Sequence, residues 1–357
     1  MSEDHLIPVL IDDSISSLKF FPSKDIDYLA SGGWDSKIRL FEIKYQILNQ
    51  NSSYDNVEIG SNQINVCKLE SPILSIDWVG NSGAIVAGCI NGSINYVDPQ
   101  KNISNKIGQH NSGCRDVIYV HNYNVLITGG WDGKLNIWDL RSQNPILSYQ
   151  FKNKIYTMSY ANNLLVLGLS DLVMAYFNFQ NLQSNNFKPD CFFLSHLKEQ
   201  TKKVVVLNDG TGFVQASIEG RCAVKYLNPS IFPKINKETK CIENPNDYAF
   251  RCHREGKADI CYIYTINDLC INPVYDSICT AGGEGKFIIW DIKEKSRLYE
   301  RENFTDKCPL TASIYNYKGN LLAYASGYDW SKGASFANEY SRPKIFIHYL
   351  QNNHRKK

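Results

Sequence analysis

The chain of 357 residues lacks any charge imbalance: 38 basic residues stand against 36 acidic ones, for a net charge of +2. Without a global field, nothing steers it to nucleic acid or to a membrane surface. It also lacks a long apolar run. The most apolar stretch, 164–177, is interrupted by Ser170-Asp171 and is too short to cross a bilayer, so no membrane insertion is expected. Met1-Ser2-Glu3-Asp4-His5 carries neither the basic region nor the apolar core of a secretory leader. The eleven cysteines include no C-x-x-C pair, and their odd number and irregular spacing favour reduced thiols in an intracellular protein over a disulfide framework or a zinc site. H-E-x-x-H, G-x-S-x-G and metal-spaced His/Cys clusters are all missing. Ala281-Gly282-Gly283-Glu284-Gly285-Lys286 imitates a phosphate loop, but Phe287 stands where Ser or Thr is required and no helix follows, so it reads as a turn. No cofactor, metal or catalytic activity is expected.

What is present is a repeat. In Thr128-Gly129-Gly130-Trp131-Asp132-Gly133-Lys134-Leu135-Asn136-Ile137-Trp138-Asp139 an apolar run enters a glycine turn, and an alternating strand leaves it for Trp-Asp. That is a β-hairpin with the dipeptide of a WD blade. Aligned on the turn acid, copies recur at 35, 91, 132, 171, 219, 284 and 329, separated by 56, 41, 39, 48, 65 and 45 residues. Four-stranded WD blades repeat every ~40–45 residues. The two long gaps hold insertions, the polar 50–63 and the proline-bearing 228–246. Seven copies predict an all-β, seven-bladed WD-repeat propeller over 1–350, with 351–357 as a solvated basic tail. The strand before each copy should be innermost and buried on both faces. The amino-terminal 6–11 should pair with 344–348 and close the ring, leaving no open sheet edge.

Blade three offers a complete buried polar network in His110, Thr128, Asp132 and Trp138. It imitates a hydroxyl-His-acid triad, but a threonine inside a strand is poorly placed as a nucleophile, so the set reads as structural. Two departures from a plain propeller point to binding. Trp34 and Trp131 precede the turn acid, where a small or polar residue is usual, and offer an aromatic platform unless they only cover the channel mouth. Arg221 in the fifth hairpin turn, Arg251 and Arg254 near the exit of an expected outer strand, and Lys202 and Lys203 leading into that blade form a basic cluster. Such a cluster suits an acidic or phosphorylated peptide, because guanidinium groups grip carboxylate and phosphate bidentately; the alternative is a set of solvated charges.

Gly130-Trp131-Asp132 with Trp138-Asp139, Leu197-Lys198-Glu199-Gln200-Thr201, 217–224 (SIEGRCAV), 249–254 (AFRCHR) and 324–333 (YASGYDWSKG) together resemble one family. It is the group formed by the mRNA-export propeller RAE-one (also Gle-two) and the spindle-checkpoint propeller BUB-three. The resemblance implies a noncatalytic adaptor whose top face grips a GLEBS-type acidic peptide of a nucleoporin or a checkpoint kinase. It sets Trp34, Trp131, Arg221, Arg251 and Arg254 near that path. Tyr328-Asp329-Trp330-Ser331-Lys332-Gly333 looks like the export branch, and Lys154-Ile155-Tyr156-Thr157-Met158 like the checkpoint branch. The first implies an export factor of the nucleus, cytoplasm and nuclear pore. The second implies an adaptor for phosphothreonine repeats of a phosphorylated kinetochore protein. Exposed aromatics beside Lys and Arg leave single-stranded RNA as a partner of another class.

Overall fold

Each glycine turn joins two strands of one antiparallel sheet, and a further strand lies on either side of the pair. In the computed structural model, which describes residues 4–50, 55–181, 186–227, 244–257, 260–302, 308–339 and 342–355, the strands make seven four-stranded sheets and one two-stranded sheet. This is the strand organisation of an all-β, seven-bladed WD-repeat propeller. Blade 1 comprises Ile15–Phe20, Asp27–Gly33, Lys37–Gln50 and Asp55–Lys68; blade 3 comprises Cys114–Val120, Val125–Gly130, Lys134–Trp138 and Leu147–Gln150. Blade 5 comprises Thr201–Val206, Gly212–Ser217, Arg221–Tyr226 and Tyr248–Arg251. An additional hairpin, Arg254–Lys257 with Ile260–Ile263, follows it.

The chain forms two compact units. One consists of 1–87, 95–105 and 267–357 and carries blades 1, 6 and 7 with most of blade 2; the other, 88–94 and 106–266, carries blades 3, 4 and 5 with the tip of blade 2. Within each unit the packing repeats. The second strand of a blade is the one buried on both faces: Leu164–Leu169, Gly212–Ser217 and Leu321–Ser326 are buried at every position. The first strands, expected to be buried throughout, instead leave some positions half-exposed, as Ile15–Phe20 and Thr201–Val206 do. Each is the edge strand of its sheet, with a paired strand on one side only.

Close stacking depends on small residues three positions before the turn acid. A Cβ on Gly129 would stand 2.7 Å from the Met158 sulfur, and one on Gly88 would stand 2.8 Å from the Cys114 carbonyl oxygen. Each glycine therefore lets the first strand of the next blade lie directly against the sheet.

The expected closure is present but shorter. His5–Leu6 pairs with Ile347 and Phe346, and the Ile7 N–H reaches the Ile345 carbonyl at 2.9 Å. Pro8 then has no N–H to continue the ladder. Ile7 and Ile11 still bury their side chains in the core of blades 1 and 7.

Two expectations need correction. The polar 50–63 segment is largely strand: Lys37–Gln50 and Asp55–Lys68, fourteen residues each, form one extended hairpin. Tyr45, Ile47, Val57 and Ile59 pack one of its faces on the core, while Lys44, Gln46, Asn56 and Glu58 face solvent. That is the period-two pattern of a half-buried strand. Residues 351–355 of the tail are also docked rather than solvated. Gln351 and His354 are buried, the Arg355 guanidinium donates to the Leu350 carbonyl at 2.7 Å, and His354 stacks on Tyr299 with ring centroids 3.6 Å apart. Burial, with His348 Nε2 only 3.2 Å from its Nδ1, pushes the His354 imidazole down to about 3. Of the other insertion, 228–243 lies outside the described residues; beyond it Asp247 ties the returning chain to Lys225 at 2.8 Å.

Candidate peptide-binding site

In blade 3 the polar network is joined at every link. His110 Nε2 lies 2.8 Å from Thr128 Oγ1, His110 Nδ1 lies 3.1 Å from Asp132 Oδ1, and the Trp138 indole N–H donates to Thr128 Oγ1 at 2.9 Å. The backbone N–H groups of Asn111 and Lys134 donate to the same carboxylate at 2.9 and 3.0 Å. Burial alone would raise the Asp132 carboxyl, but these hydrogen bonds outweigh it and hold the group below the usual carboxylate range. His110, Thr128 and Trp138 are almost fully buried and consume one another's hydrogen-bonding capacity. No open position remains beside the hydroxyl for a substrate.

The set does not recur unchanged. Blade 6 keeps the tryptophan-hydroxyl bond, Trp290 to Thr280 at 3.1 Å. Blade 1 replaces it: a buried Arg39 pairs with Asp35, Phe41 stands at the tryptophan position, and the Ser31 hydroxyl is buried without a hydrogen-bond partner among the described residues. In blade 5, Gln215 fills the hydroxyl position and donates to Thr201 and Ser195, each at 2.6 Å.

The tip tryptophans differ from each other. Trp34, in the first unit, is 38 % exposed, and its N–H is anchored on the Ser14 carbonyl. Trp131, in the second unit, does not stand clear of its turn. Its ring lies over Gly113, where an added Cβ would come within 2.6 Å of Cε3, and its indole nitrogen is shut from solvent without an acceptor among the described residues. Trp131 is therefore half-buried, and one of its faces is already used.

Blade 5 brings the arginines together. The outer strand Tyr248–Arg251 pairs with Arg221–Val224 in a register that sets Arg221 directly opposite Arg251. Like charges opposed across a ladder are unfavourable, so the pair is a feature the sheet tolerates rather than one it needs. Arg221 is about one-third exposed, with Nε 3.4 Å from Glu219 Oε2. Arg251 is exposed and makes no ion pair or side-chain hydrogen bond among the described residues. Arg254 is partly committed to the fold: its Nη2 donates to the Glu219 carbonyl at 2.8 Å, and its Nε reaches Gly220 O at 3.4 Å. Gly220, at φ +62°, is crowded by the carbonyls of Cys252, His253 and Tyr264, and a Cβ there would stand 2.7 Å from the first. Lys202 and Lys203 start the same blade's first strand and are half-buried, each with partners of its own. The sequence reading missed the apolar neighbours: Ile218, Ile260, Tyr262 and Ile263, 41–58 % exposed, lie on the turn and on the additional hairpin. Their signal was the β-branched and aromatic run 260–263, which follows the second insertion.

Among the described residues no group of three His, Cys, Asp or Glu side chains is arranged to hold a metal ion, and no helix is long and apolar enough to cross a membrane.

The model of the WD domain, G-beta repeat matches residues 6–42 and 101–139. The Poly(A)+ RNA export protein of Schizosaccharomyces pombe is 30 % identical over 340 residues, covering 94 % of this chain and 88 % of the relative. The spindle assembly checkpoint protein bub3 of the same yeast is 30 % identical, covering 96 % and 94 %. The mitotic checkpoint protein bub3 of Dictyostelium discoideum is 28 % identical, covering 95 % and 92 %. The chain belongs to the WD-repeat propeller family of the Rae1/Gle2 export factors and the Bub3 checkpoint proteins, a family of noncatalytic adaptors.

Proposed function

We propose that this chain is an adaptor that grips a GLEBS-type acidic peptide of a nucleoporin at the turn-acid end of blade 5, as an export factor associated with the nuclear pore. The observation that carries the reading is the cross-strand pair Arg221 and Arg251, with Glu219 as the one acid placed against it among the described residues. A carboxylate-rich strand laid over that pair gains charge-assisted hydrogen bonds and relieves the repulsion. Within the same unit Trp131 and Lys202 with Lys203 add aromatic and basic surface, and Arg254 holds the turn while presenting the rest of its fork. The export assignment is supported by Trp330, 49 % exposed in the 328–333 loop, whose Tyr328 hydroxyl donates to Gly333 O at 2.7 Å.

A second reading is favoured by Arg251 specifically: an exposed guanidinium without an ionic partner among the described residues suits the phosphate of a phosphothreonine repeat, as a kinetochore adaptor would need. Calorimetry with a GLEBS-type nucleoporin peptide and with a phosphorylated kinetochore repeat separates the two. Tighter binding of the nucleoporin peptide supports the export reading, whereas strong phosphate-dependent binding alone overturns it. A single-stranded RNA role requires an affinity that falls steeply with salt, and salt-insensitive or absent binding removes it.

A further inference from the structure

The extended hairpin of blade 1 leaves an unpaired strand edge at the end of the blade opposite Trp34. Strand Lys37–Gln50 pairs on one side with Asp55–Lys68 as far as Gln50 opposite Asp55. On its other side the pairing with Asp27–Gly33 ends at Ile43 opposite Asp27. Residues 44–50 therefore carry one free edge, and no backbone hydrogen bond from the described residues reaches it. Because alternate residues of a strand turn both N–H and C=O to the same side, about half of this run offers main-chain donors and acceptors there.

The edge does not open onto flat surface. It borders a cleft of about 660 Å³ whose walls include Ile26, Tyr28, Ile43, Ile47 and Lys318. Lys318 is held by Asp27 at 3.2 Å and lies over the Tyr45 ring, while Lys44 is held by Glu42 at 3.0 Å. Asp25, exposed at the cleft, has no ionic partner among the described residues. The cleft therefore combines main-chain acceptors, apolar walls with Ile26 41 % exposed, and one uncompensated negative charge.

We propose that the 44–50 edge is a second docking site, which takes a single extended segment of a partner protein as an added β-strand, the segment alternating apolar and basic side chains. Backbone pairing supplies the affinity, and the Asp25 carboxylate selects a cation over an anion. The site lies at the far end of blade 1 from the tip tryptophan, so an adaptor with both sites would hold two partners on one scaffold.

The test uses the full chain, isotope-labelled, titrated with a short blocked peptide alternating valine with lysine. Its valine–glutamate counterpart and two versions N-methylated on opposite alternate residues serve as comparisons. The expected result is slowed hydrogen exchange at amides within 44–50, loss of binding for one N-methyl phase only, no binding of the glutamate peptide, and about fivefold weaker binding to Asp25→Lys. Equal binding of both N-methyl versions, protection elsewhere on the chain, or concentration-dependent self-association that protects 44–50 would each overturn the proposal.

Discussion

Blades 3 and 5 solve the same local problem in opposite ways. Each must bury a hairpin behind a turn acid. Blade 3 does so with four side chains that answer one another: His110, Thr128, Asp132 and Trp138 leave one another satisfied. Blade 5 answers the same position with Gln215, whose amide goes to Thr201 and Ser195, and it spends its charged residues at the surface. Arg221 and Arg251 face each other across the ladder, where the fold would be better served by almost any other pair. Polar groups turned inward and satisfied belong to stability. Polar groups turned outward against their own electrostatic interest are the ones the proposed acidic peptide would use.

That contrast can be broken first at Thr128. Thr128→Val removes the acceptor of the Trp138 N–H and the partner of His110 at once, leaving two buried groups unanswered, and should cost about 2–4 kcal/mol in urea denaturation. Its affinity for a GLEBS-type peptide should be unchanged. Next in size is Gly129→Ala, whose new Cβ must displace Met158; a loss of about 1–3 kcal/mol and no change in binding are expected, read from the same denaturation curves. Arg251→Glu should do the reverse, weakening the peptide about tenfold by calorimetry while leaving the denaturation midpoint in place.

The smallest effect sharpens the comparison through pH. The Asp132 carboxyl is depressed in the folded state below its ordinary 3.8, so its contribution is present above that value and drains as pH falls through the lower, folded one. Denaturation at pH 6 and at pH 3 should show a loss in the wild type that is smaller in Asp132→Asn. Equal losses would remove the carboxylate from the account of blade 3.

Much of this was written plainly in the sequence. The turn acids and the small residue three positions before each recur because the first strand of the next blade lies directly against that position, as at Gly129 and Gly88. The four partners of blade 3 could likewise be named in advance, since they sit at fixed offsets from the turn. The rest depended on contacts distant in sequence. His354 is buried only because Tyr299 and His348 wait for it, so the tail reads as solvated until they are seen. The blade 1 hairpin hid behind asparagine and serine, because Val57 and Ile59 need cover on one face alone. Arg254 looked like its two neighbours until the Glu219 and Gly220 carbonyls claimed part of its fork. Trp131 looked free until Gly113 was found beneath it.

The central claim is that blade 5 displays its arginines for an acidic partner and does not need them to fold. The measurement that meets it most directly is calorimetric titration of the Arg221→Gln, Arg251→Gln double variant with a GLEBS-type nucleoporin peptide, beside its denaturation curve. A loss of affinity of about a hundredfold with wild-type stability or slightly better is expected. Undiminished binding, or a chain that unfolds without the pair, would contradict it.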